Sequence, residues 1–255
     1  MPDFENAHLN EIKLFRYDAK SALWILIPSQ IDERTNSSYF SEISEYTSIL
    51  ENNLYTSSDV RNANDDELVF MASDAGDLAP DESWIGDASS RRYARFQITL
   101  IDTAKNERAY VYAFRTDVGS DDPGLTDYIS YVADADGILG QTYGYAHNAH
   151  GLFTDLSVRP EAGGSGVDLV DRLKVRVKGS GSYNGIPLGT QRLTEDNLVK
   201  GSSGPRAWVV DGRVRVIRKW NVRFYLNPIY VNISSDIIFK FYPHYCDYAD
   251  LHMKT

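Results

Sequence analysis

The sequence predicts an all-β protein, an antiparallel sandwich with at most one or two short helices. Three observations carry that prediction. Apolar residues recur mostly in short runs or with period two, and these runs are separated by turns rich in Gly, Asp and Asn. The composition suits pleated, half-buried surfaces: 12% of residues are aromatic, with 17 Tyr, while Met and Cys are scarce. No internal repeat of solenoid length interrupts the pattern. At 255 residues and 42% hydrophobic content the chain can bury a large core. β-Rich chains of this length are often one domain, so residues 1–255 are expected to form a single sandwich, with a weak sub-boundary at the glycine-rich stretch 161–166.

Taken in order, Glu11 to Tyr17 and Ala22 to Ile27 read as a hairpin across the polar link 18–21. Pro28 stops the second strand, and an extended segment follows. Ser37 to Leu54 changes period: Phe40, Ile43, Tyr46, Ile49, Leu50 and Leu54 recur at three or four, which predicts an amphipathic helix. The stretch from Asn64 to Asp77 places an apolar run, Leu68 to Ala72, between two acidic turns, a buried strand around which the rest is expected to be organised. Gly76 to Arg92 is a long loop holding Trp84. Tyr93 to Ile101 and Arg108 to Phe114 alternate and predict an antiparallel pair. Short strands follow at 127–133, 141–146 and 152–158. Leu169 to Val177 ends in alternation, and Gly179 to Gly185 reads as a flexible turn. The last third predicts strands at 207–210, 213–226, 229–233 and 237–242, with 237–242 a candidate unpaired edge.

Charge narrows the partners. The formal net charge is −10, which disfavours general nucleic-acid binding, since that needs a broad basic surface. Neutral glycans, cations and basic proteins stay open. No apolar stretch is long enough to span a bilayer as a helix, so no membrane insertion is expected. Residues 1–10 carry neither a basic nor an apolar signal region. Cys246 is the sole cysteine, read as a small buried thiol.

Several constellations invite chemistry. Asn62, Asn64 and Asp66 have the 1, 3, 5 spacing of a calcium loop, but the sixth position is Glu67 and the twelfth Ser73, so the EF-type loop fails. A calcium site assembled from loops stays open as the one candidate cofactor. Asp32 with Glu33, and Asp66 with Glu67, are paired acids. Neighbours on a strand point to opposite faces, so only one acid from each motif can act with one from the other, as glycoside hydrolysis requires. His147 and His150 lack a third zinc ligand nearby and are expected to be surface or hydrogen-bonding residues, with a loop that contacts a ligand as the alternative. Trp84, Tyr143 and Tyr145 are candidate stacking surfaces for a sugar ring. Between 206 and 223 six basic residues meet one acid, a local inversion of charge. Arg215 and Arg218 are its candidate clamps for a carboxylate, against the alternative of pairing with the protein's own acids.

Three segments carry a resemblance. Residues 27–34 (IPSQIDER), 66–77 (DELVFMASDAGD) and 168–176 (DLVDRLKVR) together resemble a group of uncharacterised, exported bacterial and archaeal β-proteins. More loosely, the first two with 211–218 (DGRVRVIR) are similar to carbohydrate-processing β-sandwich proteins, which carry Pro where this chain has Arg213. The all-β architecture, long polar loops, many Tyr residues and lack of a coherent catalytic set point to a surface, adhesion or carbohydrate-binding role, and the resemblance implies a location outside the cytoplasm. It transfers no catalytic residue, and the catalytic set is unknown. The sequence therefore favours a non-enzymatic carbohydrate-binding or surface module with a glycan or protein partner. The alternatives are a glycan-active lyase or hydrolase, and a structural subunit of a larger assembly.

Overall fold

A computed structural model describes residues 4, 7, 9–32, 34–36, 44–46, 67–116, 124–148, 153–171, 174, 176–183, 185–195, 206–226 and 231–254. The fold is all-β and antiparallel. It divides into two compact units, Met1–Asp127 and Tyr128–Thr255.

The first unit contains β1 (Ile12–Asp18), β2 (Leu23–Leu26), β3 (Ser29–Asp32), β4 (Arg34–Asn36), β5 (Ser44–Tyr46), β6 (Glu67–Phe70), β7 (Phe96–Asp102) and β8 (Glu107–Arg115). Its main sheet has the order β2-β1-β8-β7. The hairpin from β1 to β2 forms as the sequence predicts. Asp18 closes its turn, accepting from Lys20 N at 3.0 Å and Ser21 Oγ at 2.6 Å. β7 and β8 pair antiparallel from Phe96↔Ala113 to Asp102↔Glu107.

Alternation along β1 and β8 buries both faces of this sheet. Ile12, Leu14, Val111 and Ala113 face one core with Phe4 and Ile27, against which Leu68 and Phe70 of β6 pack. Phe15, Tyr17, Tyr112 and Phe114 face the other, with Ala79 and Ile85 from the long loop. Trp24 meets Tyr112 and Phe114 edge-on at 5.0 and 5.2 Å, a preferred aromatic geometry. The extended segment after Pro28 is β3, and it pairs with β6. The first two of the three segments that carry the resemblance are thus partners in one ribbon.

Just beyond β6 the chain enters the main sheet. Tyr110 exchanges two 2.9 Å hydrogen bonds with Gly76, and Asp77 N donates to Tyr17 O at 2.8 Å. Gly76 and Asp77 form a wedge where β1 and β8 part. A Cβ on Gly76 would lie 2.4 Å from Tyr17 O and 3.0 Å from Arg16 Cβ. Only glycine fits this approach. The strand expected to be buried and organising is instead half-buried and forms a two-stranded ribbon with β3, and it is the turn after it that joins the main sheet.

The helix expected over 37–54 fails where the structure tests it. Ser44–Tyr46 is β5, paired with β4; the rest of that segment lies outside the described residues. Period-three spacing of apolar residues is a weak prior when tertiary pairing supplies a strand partner.

The second unit contains β9 (Ile129–Val132), β10 (Gly137–Gly140), β11 (Tyr143–His147), β12 (Phe153–Val158), β13 (Arg176–Tyr183), β14 (Ile186–Thr194), β15 (Arg206–Asp211), β16 (Val216–Leu226), β17 (Val231–Phe241) and β18 (Cys246–Lys254). One sheet has the order β12-β11-β10-β9 and another β15-β16-β17-β18. Ile129, Ile138 and Tyr143 of the first pack on Val216, Phe239 and Phe241 of the second in one core. Two antiparallel sheets face to face make the sandwich.

Several expectations are corrected here. β10, a Gly-Ile-Leu-Gly run, was not expected between the acidic turn and β11. The flexible turn expected at 179–185 is mostly strand: β13 and β14 form a hairpin whose reversal lies near Gly185, φ 77°. The strand expected over 213–226 begins only at Val216, and Arg213 and Arg215 lie in the link between β15 and β16. The candidate edge at 237–242 belongs to β17, which is hydrogen-bonded to both β16 and β18. Apart from these corrections, the stretch 161–166 contains a turn inside the second unit, closed by Gly163 at φ 85°.

Candidate functional site

The residues singled out by the sequence separate into two environments. Trp84 belongs to the first unit. Its ring packs edge-on against Phe114 at 5.2 Å, its Nε1 donates to Ser90 Oγ at 2.7 Å, and Arg91 lies over it at 5.3 Å. It anchors the long loop onto the core, and its ring is not an open platform.

Tyr143, Tyr145, His147, Arg215 and Arg218 belong to the second unit. Val216 and Arg218 are two apart on β16 and share its inner face, so Arg218 enters the sandwich. Its Nη2 donates to Asp136 Oδ1 at 2.6 Å, and the guanidinium lies 5.4 Å over the Tyr131 ring. Tyr131 OH donates to the same carboxylate oxygen at 2.8 Å. Asp136 holds a left-handed conformation, φ 43°, just before β10. This ion pair ties the two sheets across their core. Of the two sequence readings for Arg218, pairing with the protein's own acid is the one its geometry realises.

His147 is buried beside this pair. It shares a 3.0 Å hydrogen bond with Tyr145 OH and packs on Phe239 at 5.3 Å. Burial, with the Arg218 charge adding to it, pulls its pKa from 6.5 down to about 3. It is a neutral core imidazole: of the surface or hydrogen-bonding placements expected, it takes the second. Tyr145 stacks on Phe153 at 4.6 Å and 12°, so its ring face is also occupied inside the fold. His150 lies outside the described residues, as do Asn62, Asn64 and Asp66. Among the described residues no cluster of three or more His, Cys, Asp or Glu is placed to hold a metal, and no helix is long and apolar enough to cross a membrane.

Tyr143 leads to a surface feature that sequence reasoning missed. Its hydroxyl, buried and held protonated by desolvation, donates to Tyr242 O at 2.8 Å and Tyr245 O at 3.2 Å. Both acceptors lie in the turn between β17 and β18, Tyr242-Pro-His-Tyr245. The amides of Gln141 and Thr142 donate to Pro243 O at 2.9 and 3.3 Å, and Tyr242 N to Tyr245 O at 2.8 Å. Gly140 permits the contact, since a Cβ there would lie 2.9 Å from Pro243 O. The turn is fixed from both sides.

On this turn the rings of Tyr242 and Tyr245 stack at 4.6 Å and 18°. Tyr245 is 57% exposed, and His244 is exposed beside it. Arg215, only 4% exposed, reaches Tyr242 OH at 3.4 Å. Partial desolvation, with Tyr242 and Asp247 adding to it, raises the Tyr245 pKa, so its phenol stays a donor at neutral pH. The result is a preorganised aromatic face with hydroxyl donors at its edge. The signal in the sequence was Pro243 between aromatics, which marks a turn; it was obscured because β18 was not expected.

Cys246 follows this turn. As a residue it is exposed, not buried as expected. Desolvation of its thiol and the Asp247 carboxylate push its pKa up to about 12, so it carries no nucleophilic thiolate at neutral pH.

The paired-acid expectation has a partial counterpart. Asp32 and Glu67 stand directly opposite in the β3–β6 ribbon, one acid from each motif. Asp32 is 2% exposed, and Gln30 Nε2 donates to both its oxygens at 2.8 and 3.0 Å.

No protein-family model, curated protein or solved structure matches this chain.

Proposed function

We propose that this protein is a non-catalytic carbohydrate-binding module with a role outside the cytoplasm, and that the Tyr242–Tyr245 turn is its contact surface. The observation that carries the reading is the stacked tyrosine pair on a turn pinned by Tyr143, Gln141 and Thr142. An exposed aromatic face held rigid before binding loses little side-chain entropy when a sugar ring stacks on it. The buried placement of His147 and Arg218, with Tyr145 half-buried beside them, supports the same reading, because these groups serve to join the sheets.

The test is thermal unfolding and calorimetric titration with a panel of neutral oligosaccharides, on the parent protein and on Tyr245→Ala. A bound sugar raises the midpoint by mass action. Tyr245→Ala is expected to remove binding while moving the ligand-free midpoint by less than about 2 °C, since the ring is exposed. No shift and no heat with any sugar, or unchanged binding by the variant, sinks the proposal. The same scan with calcium and with EDTA tests the loop of Asn62, Asn64 and Asp66.

The Asp32–Glu67 juxtaposition favours one second reading, a glycan-active enzyme. Release of new reducing or unsaturated ends, lost in Asp32→Asn and Glu67→Gln, would establish it. Intact oligosaccharides after prolonged incubation would exclude it for the glycans tested.

A further inference from the structure

We propose that the first unit carries a separate oxyanion site, formed by Arg92, Tyr93 and Arg115, that takes the carboxylate or sulfate group of an acidic sugar. The nature of the chain bearing that group rests on the carbohydrate reading above; the oxyanion site rests on its own geometry.

The pocket has a volume of about 120 Å³ and is lined by Glu11, Ser89, Arg92, Tyr93, Arg115 and Thr116. At about 30 Å³ per water it holds roughly four waters, enough for one oxyanion group and part of a ring. Arg115 ends β8 opposite Ile12 of β1. Glu11 precedes that strand, and its carbonyl accepts from Thr116 N at 2.7 Å. This pairing places the Glu11 carboxylate 2.8 Å from Arg115 Nε. The Arg115 side chain is 19% exposed, and its guanidinium lies 4.5 Å over the Tyr93 ring. Tyr93 also lies under Arg92, at 5.2 Å.

Glu11 engages only Nε. Among the described residues, no hydrogen-bond acceptor meets the two terminal nitrogens of Arg115, and none meets the guanidinium of Arg92. The two terminal nitrogens of Arg115 reach solvent in the pocket as an uncommitted planar fork, which a carboxylate or sulfate can engage with two parallel bonds. Neighbouring acid balances the charge but leaves the fork uncommitted. Asp87 is turned into the wall, where its two oxygens accept from Ser89 Oγ and Thr116 Oγ1, each at 2.6 Å. With Glu11 and Asp87 the two arginines are balanced in charge, so the pull on an oxyanion comes from the directed N–H donors of the fork and not from net charge.

The 3₁₀ turn Ala88–Arg92 sets this geometry. Its N-cap, Asp87, accepts from Ser89 N, and Tyr93 N closes the turn on Ser90 O. Trp84 pins Ser90 from the core side. Arg92 and Tyr93 are therefore presented from a fixed turn at the end of the long loop.

The experiment is a titration of the whole protein at low salt with a uronic-acid oligosaccharide, a sulfated oligosaccharide and a neutral one. Parent, Arg92→Gln, Arg115→Lys and Tyr245→Ala are compared. Arg115→Lys keeps the charge beside Glu11 and removes the fork; Arg92→Gln changes an exposed side chain. Each is expected to weaken the acidic ligand about tenfold, the size of one charge-assisted hydrogen bond, with the neutral ligand unaffected. Added salt should weaken the acidic ligand selectively. Whichever acidic arm binds identifies carboxylate or sulfate as the source. Acidic ligands that bind no better than neutral ones, or that bind both arginine variants as they bind the parent, overturn the oxyanion site. In that case neutral binding lost in Tyr245→Ala leaves the carbohydrate reading standing; the absence of all saccharide binding ends both.

Discussion

Gly76→Ala should destabilise the first unit by about 3 kcal/mol. The added methyl would sit 2.4 Å from Tyr17 O and 3.0 Å from Arg16 Cβ, both on β1. The oxygen is backbone, so no side-chain rotation relieves the clash. The wedge must back out by more than half an ångström, and the hydrogen bonds it makes go with it. These are the two between Gly76 and Tyr110 and the one from Asp77 N to Tyr17 O. Asp77 also accepts from Ala19 N at 2.8 Å. At about 1 kcal/mol net per hydrogen bond, losing three gives about 3 kcal/mol. In a unit of this size that corresponds to a fall in midpoint on the order of 10 °C. Gly86→Ala is the control, because nothing lies within 4 Å of its added Cβ; it should stay within about 0.5 kcal/mol. The assay is urea and thermal unfolding followed by near-ultraviolet circular dichroism, which reports the packing of Trp24 and Trp84. A Gly76→Ala midpoint within 2 °C of the parent would refute the wedge.

Two further outcomes follow from the second unit. Asp136→Ala leaves Arg218 inside the sandwich without its ion-pair partner and should cost about 3 kcal/mol; a loss under about 1 kcal/mol in urea unfolding would show that the pair does not join the sheets. His147, held at about 3 in the fold against 6.5 unfolded, leaves the unfolded chain binding the extra proton between those values. Its stabilisation is complete above pH 6.5 and falls by about 1.4 kcal/mol per pH unit below it, about 2 kcal/mol by pH 5. His147→Gln should flatten that part of the stability–pH curve; an unchanged slope would mean His147 protonates in the folded state.

The sequence made the fold class legible because strand alternation is local. β1, β7 and β8 follow from alternating runs, β2 from a short apolar run stopped by Pro28, and all of them from their polar turns. What it could not show is which face of a strand meets a partner. Arg218 reads as one member of a basic patch until β16 is placed against β9, β10 and β11, when its inner-face position demands an acid and Asp136 supplies it. The same holds for His147, whose neutrality is set by Phe239 and Arg218 from another sheet. Gly76 looked like an ordinary turn residue because its strand neighbours, Tyr17 and Tyr110, are distant in sequence.

The candidate surfaces were hard to read for a related reason. A sandwich spends its inward side chains on joining sheets, whatever their chemistry. In this fold the buried tyrosine donates its hydroxyl to the turn, and the turn displays a different tyrosine. Tyr143 was therefore a sound pointer to Tyr242 and Tyr245 without being a contact surface itself. Arg115 shows the converse arrangement. Its Nε is committed to Glu11 at the strand end, and that commitment aims the rest of the guanidinium into a pocket. In both places the sequence-distant anchor fixes the geometry and the neighbouring turn supplies the group that remains available to a ligand.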